Sequence, residues 1–466
     1  MDKVMASPAQ AVADIRSGAS VGVAGFGVAH RFPSSLITAL GELGPTGLTV
    51  YCNGLGQPGH PTAHLLADNH QIRHLVTCFS ARPGVVSEAE RQIRAGQMTL
   101  EMVPQGTLVE RMRAGGAGLA AVYTPAGFGS AVADGKDIRY FGGRPYVLEH
   151  AITTDFALIR GHRADRAGNV QFRGGSRNFN VSFAKAARVT IAEVDEVVET
   201  GEIPPEAVDL PGIFVTRVVR STVQMDVTNL PMRVSRPATS ARAYLGKPAL
   251  TREQVGRRVA ALLGDDWVVN LGAGLPTLVA NFIGARPILL HSENGLLNYG
   301  ELVRDDSFDA DIHDAGGSFV RMRPGGSFID SVTSFEIARS GRLDAVVLGA
   351  YQVGRNGDLA NWAVPGMTGG GIGGAMDLAV GARQVIAMLE HAGSDGTPKL
   401  VERCDFPITT PGCVAVIVTD LALLRRAGDG FRLDEVAAGF TAAEVIGLTG
   451  MQVSVADQIG VLQDGW

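Results

Sequence analysis

The sequence predicts an α/β protein made of two related doubly wound α/β domains that arose by internal duplication. Three observations predict this. Apolar runs such as "DAVVLGAY", "QVIAML" and "VAVIVTD" are continuous rather than alternating, as in strands buried on both faces of a mostly parallel sheet. Glycine is abundant, 60 of 466 residues, and sits at the ends of such runs rather than in a low-complexity tract, which fits many tight strand-to-helix turns. Four segments of the first half recur, in order, in the second.

The first pair is "ASVGVAGFGVAHRFPSSLITAL" (19–40) and "DWVVNLGAGLPTLVANFIG" (266–284). Each is an apolar run, a GxG turn, a proline and the start of an amphipathic helix. Proline suits a first helical turn, where its missing N–H has no partner to lose. "DFALIRGHRADRAGNVQF" (155–172) then answers "LDAVVLGAYQVGRNGDLAN" (343–361), "AKAARVTIAEVDE" answers "AVGARQVIAMLEH", and "LPGIFVTRVV" answers "TPGCVAVIVTD". The later pairs are separated by 189 residues (Gly168 to Gly357), 195 (Arg188 to Arg383) and 200 (Pro211 to Pro411). The first pair is separated by 247 (Gly25 to Gly272), so the first half carries extra chain between its first and second anchors.

Between the halves, "RVSRPATSARAYLGKPALTREQ" (233–254) has two prolines and no apolar period, and a helix starts at "ALTREQVGRRVAALLG". The expected organisation is a first domain over 1–232, a linker over 233–249 and a second domain over 250–466.

Composition narrows the function. The chain is 45% hydrophobic and 19% charged, with a net charge of −6, no block of like charge and no basic stripe interleaved with aromatics. Nucleic acid is not an expected partner. Cys52, Cys78, Cys404 and Cys413 form no CxxC pair and no zinc-spaced cluster with histidine, so free thiols and no metal are expected. The N-terminal residues show no signal-like apolar segment, and "VGVAGFGVA" is too short to span a membrane; the expected location is cytoplasmic. Neither GxG turn extends to GxGxxG, which argues against a nicotinamide dinucleotide.

Three stretches carry candidate chemistry. "LLHSENG" places Glu293 at a strand end, as a solvated turn residue or a nucleophile. Nearby His291 is expected to face away from it. "PGMTGGGIGGAMDL" offers a glycine loop before a helix near Met376, either a flexible closing loop or a set of unhindered N–H donors for an oxyanion or phosphate. "VPQGTLVERM" places Gln105 in a Pro-Gln-Gly turn, as a surface residue or an oxyanion donor. There is no GxSxG elbow, HExxH or P-loop.

Several motifs together resemble a known family. "VPQGTLVERMRAGGAG", "YTPAGFG", "YVLEHAITTDFALIRGHRADRAGNVQFR" and "SRNFN" in the first half, and "NLGAGLPTLVANFI", "SENG", "DSVTSFEIARSGRLDAVVLGAYQVGRNGDLANW" and "GIGGAMDL" in the second, are similar to class I CoA-transferases of the 3-oxoacid type, with α and β subunits fused. The resemblance covers nearly the whole chain. It implies a CoA-transferase-like fold and transfer of CoA from an acyl-CoA to a carboxylic acid, first among them a 3-oxoacid. Glu293 would be the catalytic carboxylate, passing through an acyl-glutamyl anhydride to a glutamyl-CoA thioester. Gln105 and the loop residues Gly371, Gly373 and Gly374 would stabilise oxyanions, and Asn53 and Asn281 would face substrate. Coenzyme A would be substrate and covalent intermediate, with no permanently bound cofactor, and the chain would form a homodimer or higher homo-oligomer.

The sequence departs from the family near the expected acyl pocket. "GFGVAHRFPSS" replaces a Gly-Ile-Pro-Glu-like stretch, Asn53 stands where an Asn-Asn pair is common, His291 replaces a frequent glutamine, and "LLNYGELV" follows SENG. These changes leave short-chain acyl groups open as substrates. An acyl-CoA hydrolase or ring-opening hydrolase on the same fold, against which the presence of Glu293 argues, and non-catalytic CoA sensing are the other readings. Activity that needs two acids, not water alone, separates transfer from both.

Overall fold

The computed structural model describes residues 2–27, 30–81, 84–225, 239–303, 305–366 and 369–462. The duplication is visible in strand order. In the first half, parallel strands run Leu48–Gly54, Ser20–Val23, Thr154–Asp165, Ala187–Val198, Arg217–Arg220 across the sheet. In the second, Leu289–Ser292, Val268–Leu271, Ala345–Leu348, Val385–Met388, Val414–Val418 repeat that order, again all parallel. The four sequence pairs map onto four matched strands. Gly168 and Gly357, one of the anchor pairs, both turn with positive φ, at 90° and 84°.

The central strands are apolar because both faces are covered. Ala345–Leu348 and Val385–Met388 are buried at every position, each large side chain contributing about 1.5–3 kcal/mol of transfer free energy. The sheets differ at their margins. The first continues in parallel through Ile72–Ala81 and Thr99–Met102. The second turns antiparallel on both sides, through Leu296–Leu302 and Val320–Phe328 at one margin and Ala422–Ala427 and Gly430–Ala437 at the other. The extra chain of the first half holds those two parallel strands, the helix Gln105–Gly116 and a separate three-stranded sheet over 121–150.

The repeated proline serves two kinds of helix. Pro33 precedes the α-helix Ser34–Leu43, which ends at Gly44 in the left-handed region. Pro276 lies in the first turn of Leu275–Phe282, which is a 3₁₀ helix rather than the expected α-helix. The helix expected after the linker is Arg252–Leu262, opened by a capping box in which Thr251 and Gln254 satisfy each other's backbone N–H.

The linker itself needs correction. Residues 233–238 lie outside the described residues, but 239–249 is not irregular. Strands Ala241–Tyr244 and Lys247–Thr251 form a hairpin through Leu245 and Gly246, both with positive φ. It is fixed to the second half by Leu250 N–H donating to Asp420 O at 3.0 Å and by the Tyr244 hydroxyl on Asp420 Oδ2 at 3.0 Å.

The halves interlock. Gly370–Gly371, from the second half, pairs antiparallel with Ala81 and Phe79 and so joins the sheet of the first half. Arg31, itself in the left-handed region, spans Asp195 of its own half and Asp311 of the other, at 2.7 Å and 2.6 Å. Arg173 adds a second cation to Asp311.

Candidate active site

Glu293 is presented by a tight hairpin. The strand Leu289–Ser292 ends, Gly295 N–H returns to Ser292 O at 2.9 Å, and Leu296–Leu302 runs back antiparallel. Gly295 has φ 106°, and a Cβ there would lie 2.1 Å from Ile329 O, so no other residue fits the turn. Asn294 fastens it from within: Ser292 Oγ donates to its Oδ1 at 2.6 Å and its Nδ2 donates to His313 O at 2.7 Å.

The solvated-turn reading of Glu293 fails. Its side chain belongs to a residue only 8% exposed, and Oε2 has no hydrogen-bond partner among the described residues. Burial pushes the carboxyl up to about 7; its own backbone N–H and the Asn270 amide pull it down, and the Asp314 charge raises it further. His291 also differs from expectation. His291 lies two residues before Glu293, at the end of the strand that leads into its turn, and Asn270 reaches both. Asn270 Nδ2 lies 2.9 Å from His291 Nδ1, and His291 Nε2 lies 2.9 Å from Ser334 Oγ. Burial lowers the imidazole to about 4, so it is neutral at neutral pH.

Gln105 is not a surface residue either. It is 1% exposed, opens the helix Gln105–Gly116, and donates through Nε2 to Asn53 Oδ1 at 2.8 Å. Asn53 lies in the strand Leu48–Gly54, so parallel strand order brings it beside a helix that follows two strands later. Gln105 N–H donates to Gly373 O at 3.0 Å, and Gln105 Oε1 is buried with no partner among the described residues, 3.1 Å from where a Gly374 Cβ would be. Gln105, Asn53, Gly373 and Gly374 thus form one cluster.

The glycine loop is dictated by closeness to Phe79. A Cβ on Gly371 would meet Cys78 O at 2.1 Å, and one on Gly373 the Phe79 ring at 2.9 Å. Gly371 is strand-paired, Gly373 supplies its carbonyl to Gln105, and Gly374 caps the helix Ala375–Gly381, which starts one residue before Met376. Behind them, Asp377 Oδ2 accepts from Gly106 N–H at 3.0 Å, while Arg339 bridges Asp377 and Glu110. This lock holds the start of the Gln105 helix against the second half.

The helix Ser331–Arg339 connects the two clusters. Ser334 bonds His291 on the Glu293 side, and Phe335 packs at Gly374 on the Gln105 side. The first half reaches the Glu293 hairpin as well: Asn178 O accepts Ser331 N–H at 3.0 Å, and a Gly175 Cβ would lie 3.6 Å from Asn294 Nδ2. The site therefore spans both halves.

Asn281 does not join it. Its Oδ1 accepts Leu302 N–H at 3.1 Å and pins the end of the returning strand, because the 3₁₀ turn directs it there. Asn270, Tyr299 and Asp314 also reach the Glu293 region. A lone polar residue ending the run "VVNLG" was the available signal for Asn270. The four cysteines are free.

A family profile described as "Coenzyme A transferase" matches residues 5–221 and 252–447, both halves of this chain. The chain belongs to the coenzyme A transferase family. It is accordingly a CoA-transferase. It is 38% identical to human "Succinyl-CoA:3-ketoacid coenzyme A transferase 2, mitochondrial" over 99% of this chain and 92% of that one. It is 50% identical to one subunit of the succinyl-CoA:3-ketoacid coenzyme A transferase of Xanthomonas campestris, over 44% of this chain and 83% of that subunit, so this transferase carries in one polypeptide what is divided there. An acyl-CoA transferase structure from Escherichia coli O157:H7 superposes with a TM-score of 0.80 at 19% identity, covering 99% of this chain and 96% of that one; at that identity the likeness shows the fold. No helix among the described residues of the transferase is long and apolar enough to cross a membrane.

Proposed function

We propose that this CoA-transferase moves CoA from an acyl-CoA to a 3-oxoacid by ping-pong chemistry on Glu293. The observation that carries the proposal is the buried Glu293 carboxylate, held between the halves, with one oxygen unpartnered among the described residues. A fully solvated carboxylate is a weak nucleophile; one withdrawn from water, with one oxygen left without a partner, is more reactive. Support for the acceptor class comes from the relatives at 37–38% identity named for succinyl-CoA and 3-ketoacids.

The Glu293 carboxylate attacks the acyl carbonyl, the carbon–sulfur bond breaks, and CoA leaves as thiolate, giving an acyl-glutamyl anhydride. The thiolate attacks the glutamyl carbonyl and releases the donor carboxylate, leaving a glutamyl-CoA thioester. An acceptor carboxylate then runs the same steps in reverse and regenerates Glu293. Each step passes through an oxyanion. The second N–H of Gln105 Nε2, oriented by Asn53, and the N–H groups of Gly373 and Gly374 are the proposed donors.

Residues 1–232 and 250–466 are the proposed counterparts of two subunits, on the strength of the repeated strand order. Acyl-CoA and small carboxylic acids are the proposed ligands, with no permanently bound cofactor. Cytoplasmic residence and a homodimer or higher homo-oligomer belong to the same reading. Intact-protein mass spectrometry after incubation with a panel of acyl-CoAs, acceptor omitted, tests it. A CoA adduct on the Glu293 peptide is expected. Folded, CoA-binding protein that forms no adduct with any donor would favour hydrolysis or sensing.

A further inference from the structure

The chain from 309 to 318 docks on the Glu293 hairpin through Asn294, whose Nδ2 donates to His313 O at 2.7 Å. A carboxylate flanks each side of this tie, Glu293 before Asn294 and Asp314 after His313. Both residues are buried, and Glu293 Oε2 and Asp314 Oδ2 each lack a hydrogen-bond partner among the described residues. Asp314 Oδ1 is held by Ser318 N–H at 2.9 Å, which fixes the carboxylate in place. The Tyr299 hydroxyl, on the returning strand, is buried, has no partner among the described residues and lies within the influence of both carboxylates.

Burial raises the Glu293 carboxyl most; of the charged groups around it, Asp314 is the one whose charge adds to that rise. His291 lies on its own strand, His313 on the docked loop, and His30 of the first half stacks on His313 with centroids 3.4 Å apart. Burial holds all three imidazoles below their ordinary value, hence neutral at neutral pH. Asp311 is answered by Arg31 and Arg173 of the first half. Asp314 has no cation against it among the interactions of the described residues.

We propose that Asp314 is a positioning residue for the nucleophile: a second buried carboxylate, docked through the Asn294–His313 tie, whose charge destabilises the resting Glu293 carboxylate and drives it toward the thioester carbonyl. This rests on Glu293 being the nucleophile. As Glu293 attacks, its negative charge passes to the oxyanion and then leaves with the CoA thiolate, so repulsion from Asp314 is relieved as the bond forms. No bond to Asp314 forms or breaks. Burial pushes Asp314 up to about 6, with Ser318, Gly316 and Gly317 N–H groups opposing, so it is mostly ionised at neutral pH. Burial and the charges of Asp314 and Glu293 push the Tyr299 hydroxyl well above its usual range, so it stays neutral.

The experiment is the pH dependence of CoA loading from acetoacetyl-CoA without acceptor, read by intact mass, for wild type, Asp314→Asn and Asp314→Glu. In Asp314→Asn the low-pH limb should move down by about one unit and the plateau rate fall roughly tenfold. Asp314→Glu should return the limb toward wild type, which a merely structural role would not require. An unmoved limb with an unchanged plateau overturns the role of Asp314. Absence of any adduct in folded wild type overturns Glu293 as nucleophile instead. Should Asp314→Asn fail to fold, infrared titration of wild type against Glu293→Gln decides. Removing the Glu293 charge must lower the pH at which Asp314 ionises; an unaltered Asp314 titration sinks the proposal.

Discussion

Gln105 Nε2 donates to Asn53 Oδ1 at 2.8 Å, joining residues 52 apart in sequence and leaving Gln105 Oε1 buried with no partner among the described residues. The bond fixes the carboxamide plane, so the remaining N–H of Nε2 points in one direction. A donor held this way costs little to reorganise when charge develops on a substrate oxygen.

Gln105→Ala is therefore expected to slow turnover by roughly 10²-fold or more. Asn53→Ala should slow it as well, by freeing the Gln105 amide to rotate. The two changes together should cost less than the sum of their separate effects, because they disable one unit. Steady-state kinetics on the four-member cycle measures this; full additivity would mean that the bond does no catalytic positioning.

Glu293→Gln should remove loading and also alter stability with pH. The folded-state carboxyl is raised to about 7 from an ordinary 4.5, so the native state favours the protonated form. Its contribution is intact below pH 4.5, declines between 4.5 and 7, and stays reduced above. The amide escapes that decline. Thermal unfolding should show Glu293→Gln near wild type at pH 5 and more stable at pH 8, by up to about 3 kcal/mol. Equal stability at both pH values would contradict the buried, uncompensated carboxylate.

Gly373→Ala and Gly371→Ala should respond differently to one rescue. The Gly373 Cβ would strike only the Phe79 ring, whereas the Gly371 Cβ would strike the Cys78 carbonyl. Phe79→Ala should restore part of the activity lost in Gly373→Ala and none of that lost in Gly371→Ala. Recovery in Gly373→Ala stays partial because its φ of 60° still strains an L residue.

Asp311→Ala should destabilise the contact between halves. Asp311 receives Arg31 and Arg173, and its removal leaves each with one remaining carboxylate, Asp195 and Asp309. A loss of about 1 kcal/mol is expected in urea unfolding, with a smaller loss for Asp311→Asn. A wild-type midpoint for Asp311→Ala would show that the pair has no net value.

The repeated strand order was legible in sequence because central parallel strands are continuous apolar runs, and their turns keep glycine where φ must be positive, as at Gly168 and Gly357. What the sequence hid was long-range pairing. Nothing local in "YCNGLG" says that Asn53 meets Gln105; the sheet's strand order brings them together. Asn281 looked like a substrate-facing amide, yet its 3₁₀ turn commits it to a backbone N–H. The hairpin at 241–251 has no clear signature in the sequence, because its turn is Leu-Gly rather than Asn-Gly and two prolines interrupt the 233–254 stretch. Asp314 gave no signal because its significance lies in the Asn294–His313 bond.

The Gly370–Gly371 strand bears on how the molecule comes into being. It completes the margin of the Ile72–Ala81 strand, yet about 290 residues separate the two. During synthesis, the first half emerges with that edge open, an invitation to stray pairing. The same few backbone bonds also bring the glycine loop to Gln105, so the margin is sealed by the event that assembles the active site. Carrying both halves on one polypeptide turns this into an encounter within a molecule, at an effective concentration no pair of dilute chains could reach.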